Sequence, residues 1–212
     1  MKKVPLKVFM SKPVIIKSSD PIDEAVEAFR RGGVIAYPTE TFYALGADPF
    51  NAEAVKKVFA LKGRPAKNPV SVIVKDREML ARVAASVPEA AYRLMERFWP
   101  GPLTIIFDAL PSVPALLTAG TGSIGARVSS SPLSQKLTSV LDSPITATSA
   151  NPSGKAPAFT AERVIEYFDG LIDVIIDGGT LKGRLGSTIV DVTGDGIKIL
   201  REGEIPSEEI KA

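Results

Sequence analysis

At 212 residues and a formal net charge of +2, the chain is long enough for one large domain. It is also too nearly neutral for its charge alone to imply nucleic-acid binding. It contains no cysteine and no histidine, which excludes disulfides, Cys/His zinc sites, a cysteine nucleophile and a Ser-His-Asp triad, and leaves proton transfer to carboxylates, lysine, tyrosine, substrate or water.

The opening Met1-Lys2-Lys3 imitates the charged start of a signal peptide, but Pro5, Lys7, Lys12 and Pro13 interrupt any hydrophobic stretch, so secretion is not expected. Val14–Ile16 reads as a first strand. Asp20 is placed to cap a helix with Pro21 at its first position and Asp23 at its third, and Gly32-Gly33 to end it. Val34–Tyr37 is a buried-type strand. Asn51 caps the helix Ala52–Leu61, which Gly63 ends in a left-handed conformation. Val70–Val74 is the next strand, followed by helical patterns at Arg77–Ala85 and Pro88–Phe98. Leu103–Phe107 and Ile124–Val128 are strand-like; the uncharged, proline- and glycine-bearing run Ala109 to Gly125 reads as a loop and not as a membrane span.

Ser131 introduces the helix Pro132–Leu141, and the strand Ile145–Thr148 runs into the polar turn Ser149 to Gly154. Thr160 caps the helix Ala161–Phe168. Three strands follow at Ile172–Ile176, Thr188–Val192 and Ile197–Leu200, the last two joined by a Gly194-Asp195-Gly196 turn. Strands alternating with helices predict an α/β fold on a largely parallel sheet with an antiparallel hairpin near its end. No interdomain linker divides the chain, so residues 1–212 read as a single domain with its core at about 13–203. Neither a GxxxxGK[ST] loop nor a GxGxxG after a strand is present, so a bound nucleotide has to be held in another way.

The stretch Tyr37 to Pro69 gathers Tyr37-Pro38-Thr39-Glu40-Thr41, Lys62-Gly63-Arg64-Pro65 and Asn68-Pro69 between two apolar strands. Such a set of hydroxyls, cations and an amide suits an anionic ligand. Lys62 and Arg64 serve equally as cations at a helix C-terminus or as phosphate and carboxylate ligands. Thr148-Ser149-Ala150-Asn151 follows a strand, where α/β sheets open onto a ligand crevice, and is also a turn sequence. Ser187, in Gly183-Arg184-Leu185-Gly186-Ser187, belongs to a glycine-bearing segment that is a flexible loop or a close approach to ligand. Ser123 and Arg127 flank the end of the uncharged run, and Arg127 in an apolar strand needs an anionic partner, from the protein or from a ligand. Arg201, after the last strand, is a surface cation or a further ligand group.

Together these motifs resemble the YrdC family of threonylcarbamoyl-adenylate synthases, from about Pro13 to Gly203. They occur in order as Tyr-Pro-Thr-Glu-Thr at 37–41, Lys-Gly-Arg-Pro at 62–65, Asn-Pro at 68–69, Thr-Ser-Ala-Asn at 148–151 and Ser-Thr-Ile-Val-Asp at 187–191. The resemblance implies an open, twisted, mixed sheet with flanking helices, without the extra C-terminal domain of longer relatives. It implies a cytoplasmic nucleotidyltransferase that joins L-threonine, bicarbonate and ATP, with Mg2+ on the phosphates and no metal-ligating residues of its own. Pyrophosphate leaves, and the threonylcarbamoyl-AMP product serves tRNA modification through tRNA and tRNA-modifying partner proteins, with no membrane involved. Carried over by position, Thr41, Arg127, Ser187 and the Ala147 backbone would hold threonine. Arg64, Asn68, Ser123, Ser149 and Arg201 would contact ATP, and Lys62, Arg64, Ser149 and Asn151 would form the catalytic group. Family members commonly carry a histidine where this chain has Ile73, which implies one polar contact fewer in the amino-acid pocket. Two other readings compete: a carbamoyl-adenylating relative, as in hydrogenase maturation, and an RNA-binding module using the basic Lys56, Lys57 and Lys67 region without catalysis.

Overall fold

The computed structural model describes residues 12–212, so the reading of Met1-Lys2-Lys3 lies outside them. In chain order the elements begin with β1 (Val14–Lys17), α1 (Asp23–Arg30), β2 (Ile35–Pro38), β3 (Tyr43–Gly46), α2 (Ala52–Lys62) and β4 (Val72–Ile73). They continue with α3 (Arg77–Leu80), α4 (Glu89–Phe98), β5 (Leu103–Asp108), β6 (Ser123–Arg127) and α5 (Pro132–Leu141). The remainder are β7 (Ile145–Thr146), β8 (Thr148–Ser149), α6 (Ala161–Phe168), β9 (Val174–Asp177), β10 (Thr188–Asp191), β11 (Lys198–Arg201) and α7 (Ser207–Lys211).

The expected mixed α/β architecture holds, but the strands divide between two sheets, ordered β1-β9-β2-β3-β8 and β11-β10-β5-β6-β4-β7. Nor is the arrangement largely parallel. Antiparallel pairs include β2–β3, β3–β8 and β5–β6 beside the β10–β11 hairpin, against parallel β1–β9, β2–β9, β4–β6 and β5–β10. The run 145–149, read as one strand ending at Thr148, is two: Ile145–Thr146 edges the second sheet and Thr148–Ser149 edges the first. Ala147 is the crossing point, its N–H donating to the Ser71 carbonyl at 2.7 Å. The two sheets therefore meet where Ser149 and Asn151 leave the strand.

Alternation along the second sheet decides what faces the space between the sheets. Leu103, Ile105 and Phe107 of β5, Ile124 and Ala126 of β6, and Val190 of β10 enter one buried apolar cluster with residues of α3 and α4. Their neighbours Thr104, Ile106, Ser123, Gly125, Arg127, Ile189 and Asp191 point to the opposite face. A separate apolar cluster packs α1 and α5 against the first sheet through Ala25, Phe29, Tyr37, Leu137 and Ile176.

Local chemistry explains most boundaries and several departures. The Asn51 side chain accepts from the Glu53 and Ala54 N–H groups at 3.1 and 3.2 Å, and Gly63 ends α2 at φ 56°. Replacing Asn51 with alanine removes this cap and is expected to cost about 1 kcal/mol, seen as a lower urea midpoint at unchanged m-value. Asp20 does not cap α1. The helix starts at Asp23 after Ile22 with no side-chain cap, because the Asp20 N–H closes a turn on the Lys17 carbonyl and its carboxylate accepts from Ser19. The helix read at Arg77–Ala85 stops at Leu80, since the backbone from Ala84 turns to pair with Ala109 and with the Asp108 carbonyl. Strand pairing within Val70–Val74 is confined to Val72–Ile73. Tyr43–Gly46 is an additional strand: Ala and Gly are weak strand formers and all four residues are buried, so neither propensity nor alternation marks it.

Candidate active site

A cavity of about 580 Å³ opens between the two sheets, within the range typical of small-molecule sites. Arg64, Arg127 and Arg201 line it, and Asp191 is the one carboxylate among the lining residues. The wall is therefore polarised toward anions. Arg127 is the most enclosed of the three, at 6 % exposure; Arg64 is half-buried and Arg201 more open.

Each arginine is aimed by backbone or carboxylate acceptors. Arg64 follows the left-handed Gly63 and folds over its own loop, donating from Nε to the Asn68 carbonyl at 3.0 Å and from Nη2 to the Pro69 carbonyl at 2.7 Å. Arg201 donates from Nε and Nη2 to the Ser187 carbonyl at 3.2 and 2.7 Å. Burial pulls both guanidinium pKa values below the ordinary arginine value, helped at Arg201 by the charge of Arg127, yet both stay protonated at neutral pH. Arg127 donates from Nη1 to Glu40 Oε1 at 2.6 Å.

Hydroxyl groups fill the intervals. Thr41 comes from the β2–β3 turn, its Oγ1 3.0 Å from that of Thr39. The Ser187 hydroxyl lies 2.8 Å from Thr104 Oγ1. The segment carrying Ser187 is held and not loose: Glu204 Oε1 accepts from the Arg184 and Leu185 N–H groups at 2.6 Å each, and the Glu204 N–H donates to the Gly186 carbonyl at 2.9 Å. Gly183 packs so closely that an added Cβ would stand 2.2 Å from the Thr41 carbonyl oxygen. Since that neighbour is backbone, Gly183→Val is expected to cost about 1–3 kcal/mol and to displace the Thr41 turn, measured as a lower Tm.

The structure brings Thr41, Arg64, Asn68, Ser123, Arg127, Ala147, Ser149, Ser187 and Arg201 to this one cavity. Lys62 and Asn151 stand behind its wall. Lys62, 3 % exposed, donates from Nζ to the Ser149 carbonyl and, at 2.8 Å, to the Asn151 carbonyl. The Lys62 carbonyl in turn accepts from the Ser153 N–H at 2.7 Å. Asn151 spends Nδ2 on the Pro152 and Lys155 carbonyls at 2.9 and 2.8 Å, while its buried Oδ1 has no partner among the described residues. Burial, then the charge of Arg64, brings the Lys62 ammonium down to about 8. Lys62 therefore fastens the end of α2 to the 149–153 segment that presents Ser149.

Ile73 is 1 % exposed in the apolar cluster with Tyr37, Ala44 and Ile145, outside the lining. Sequence reading did not single out Ser71, Thr104, Thr121 or Asp191, all of which line the cavity, nor its apolar side at Phe42, Ile106, Ile189 and Leu200. Alternation in β5 was the available signal for Thr104 and Ile106. Only tertiary contact marks Ser71 and Phe42.

The two sheets thus frame a cavity lined by three guanidinium groups and several hydroxyls, with Arg127 buried and Arg64 and Arg201 more open, an arrangement suited to anions. A family model described as Sua5_yciO_yrdC, telomere recombination, matches residues 27–203, and the chain belongs to this Sua5/YciO/YrdC family. Threonylcarbamoyl-AMP synthase of Pyrococcus abyssi is 39% identical over 93% of this chain and 60% of its own length. The Bacillus subtilis protein of the same name is 40% identical over 93% of this chain and 58% of its own. The chain thus spans about three-fifths of these two relatives. The crystal structure of P. abyssi Sua5 complexed with L-threonine is matched at a TM-score of 0.90 and 38% identity, covering 95% of this chain and 60% of that one.

Proposed function

We propose that the cavity makes threonylcarbamoyl-AMP from L-threonine, bicarbonate and ATP, releasing pyrophosphate, for the threonylcarbamoyladenosine modification of tRNA. The supporting observation is that Arg127 and Arg64 are two guanidinium groups of different depth lining one cavity, as suits a reaction joining an amino-acid carboxylate and a nucleotide phosphate. Arg127, with Thr41, Ser187 and the Ala147 backbone, takes threonine. Arg64, Asn68, Ser123, Ser149 and Arg201 take ATP.

The chemistry needs no histidine. The threonine amine and bicarbonate condense to a carbamate with loss of water. A carbamate oxygen then attacks the α-phosphorus, forming one P–O bond as the bond to pyrophosphate breaks, and the charge leaves on pyrophosphate. The protein's contribution is alignment and charge neutralisation: threonine is held with its amine toward the phosphates, and Arg64 offsets charge that develops on the phosphoryl oxygens. Among the described residues no group of three acidic, His or Cys side chains is placed to hold a metal ion. Mg2+ would come bound to the phosphates, with Asp191 the one carboxylate at hand in the lining, and would withdraw charge from the phosphoryl oxygens. The product passes to tRNA through partner proteins, in the cytoplasm.

Pyrophosphate release and the mass of the AMP-linked product test the reading. Both are expected only when threonine, bicarbonate and ATP are all present. Pyrophosphate released equally without threonine, or no product at any threonine concentration, would overturn it.

A further inference from the structure

Glu40 is a buried carboxylate that the proposed chemistry leaves unused. Its Oε1 accepts from Arg127 Nη1 at 2.6 Å, and its Oε2 accepts from the Ser129 hydroxyl. The two side chains of the ion pair are 7 % and 14 % exposed. Glu40 sits in the turn between β2 and β3, in the first sheet, whereas Arg127 ends β6 in the second. The pair therefore ties the two sheets together beneath the cavity. Glu40 is not among the residues lining that cavity, whereas its partner Arg127 is.

The backbone of the turn gives the carboxylate a fixed location. Thr39 Oγ1 accepts from the N–H groups of Thr41 and Phe42 at 3.2 Å each and donates to the Phe42 carbonyl at 2.7 Å. Thr41 from this turn lines the cavity while Glu40, one residue before it, engages Arg127 and Ser129. Arginine is a planar fork of five donors, and the one bond it makes to the described residues is from Nη1 to Glu40. Occupying that nitrogen sets the plane of the guanidinium and leaves its other donors for the cavity.

We propose that Glu40 is a positioning residue that selects the amino-acid substrate by its carboxylate. It holds Arg127 in the orientation that pairs with an α-carboxylate and locks Thr41 and Arg127 into one unit. The proposal rests on the assignment of threonine to this end of the cavity. A fixed guanidinium rewards a carboxylate in one place only; a guanidinium free to swing accepts other anions and other poses.

The test compares the full chain with Glu40→Gln and Glu40→Asp, measuring KM for threonine and ATP, calorimetric binding of L-threonine, and discrimination between L-threonine and L-threoninol, which lacks the carboxylate. Glu40→Gln is expected to raise KM and Kd for threonine roughly 10- to 100-fold, to leave KM for ATP within about twofold, and to shrink the threonine-to-threoninol discrimination by a similar factor. Glu40→Asp keeps the charge and recovers most of the discrimination, and it carries the comparison if the glutamine variant fails to fold. A glutamine variant with lower Tm but unchanged threonine affinity and discrimination overturns the proposal, as does an equal rise in both KM values. Wild-type protein that binds threonine normally but makes no product refutes the proposed reaction alone, and the calorimetry still decides the role of Glu40. Wild-type protein that does not bind threonine refutes both.

Discussion

Arg64→Ala is expected to lower kcat/KM for AMP-linked product by roughly 10²–10³-fold while leaving Tm nearly unchanged. The guanidinium folds over the 65–69 loop through the Asn68 and Pro69 carbonyls, so its head is oriented before any nucleotide arrives. Those carbonyls lie on a solvent-facing loop and water can replace the lost donors, which keeps the stability cost small. In the proposed reaction, what is lost is a charge-assisted donor at the phosphoryl group, where negative charge grows in the transition state. Arg64→Lys keeps the charge without the planar fork and is expected to recover only part of the rate. Threonine binding, measured separately, is expected to stay within about twofold of wild type because its proposed ligand, Arg127, lies on another element.

The second large effect concerns Lys62 and pH. Its folded-state pKa of about 8 lies below the ordinary 10.5. Between those values the unfolded chain binds a proton that the folded chain has released, so this group makes stability rise with pH across that window, by an amount on the order of 3 kcal/mol in full. Burial raises the pKa of Tyr37, and that of Tyr43 to about 12. Both tyrosines then work in the opposite direction above their ordinary 10.0, so the rise is clearest from about pH 8 to 10. Chemical denaturation over that range is expected to show it in wild type and not in Lys62→Met. Activity has the contrary trend. Neutral Lys62 still has donors for the Ser149 and Asn151 carbonyls, so the wall keeps its shape, but a positive charge behind the proposed phosphate site disappears. KM for ATP is expected to rise roughly three- to tenfold above pH 8 in wild type, and Lys62→Met should show high KM at all pH values. A wild-type stability that falls steadily from pH 8 to 10 would contradict the assignment.

The legible parts of this molecule are those fixed by neighbours in sequence. Asn51 and Gly63 bracket α2 because a cap and a left-handed stop act within one turn of helix, and Thr160 opens α6 for the same reason. Nine of the expected ligand residues come to one cavity because each sits at a strand end, beside one, or in the 63–69 loop that links α2 to β4, where motif and position agree. Lys62 and Asn151 share those motifs but face backbone carbonyls, and nothing in the spacing of Lys62-Gly63-Arg64 tells which of two cations meets solvent. The division of 145–149 between two sheets depends on Ala147 meeting Ser71, residues far apart in the chain. Arg127 in an apolar strand demanded an anion, and sequence left protein and ligand open; Glu40 is the protein's part of that answer.

In the proposed reaction one cavity adenylates a carbamate formed on threonine, rather than threonine itself. Carbon-13 bicarbonate, with threonine and ATP, tests it most directly when the AMP-linked product is read by NMR and mass spectrometry. One labelled carbonyl carbon per product is expected, bonded to the threonine nitrogen and to the AMP oxygen, in step with pyrophosphate. A threonine-dependent AMP product without label, which is the signature of direct activation of the threonine carboxylate, would contradict it.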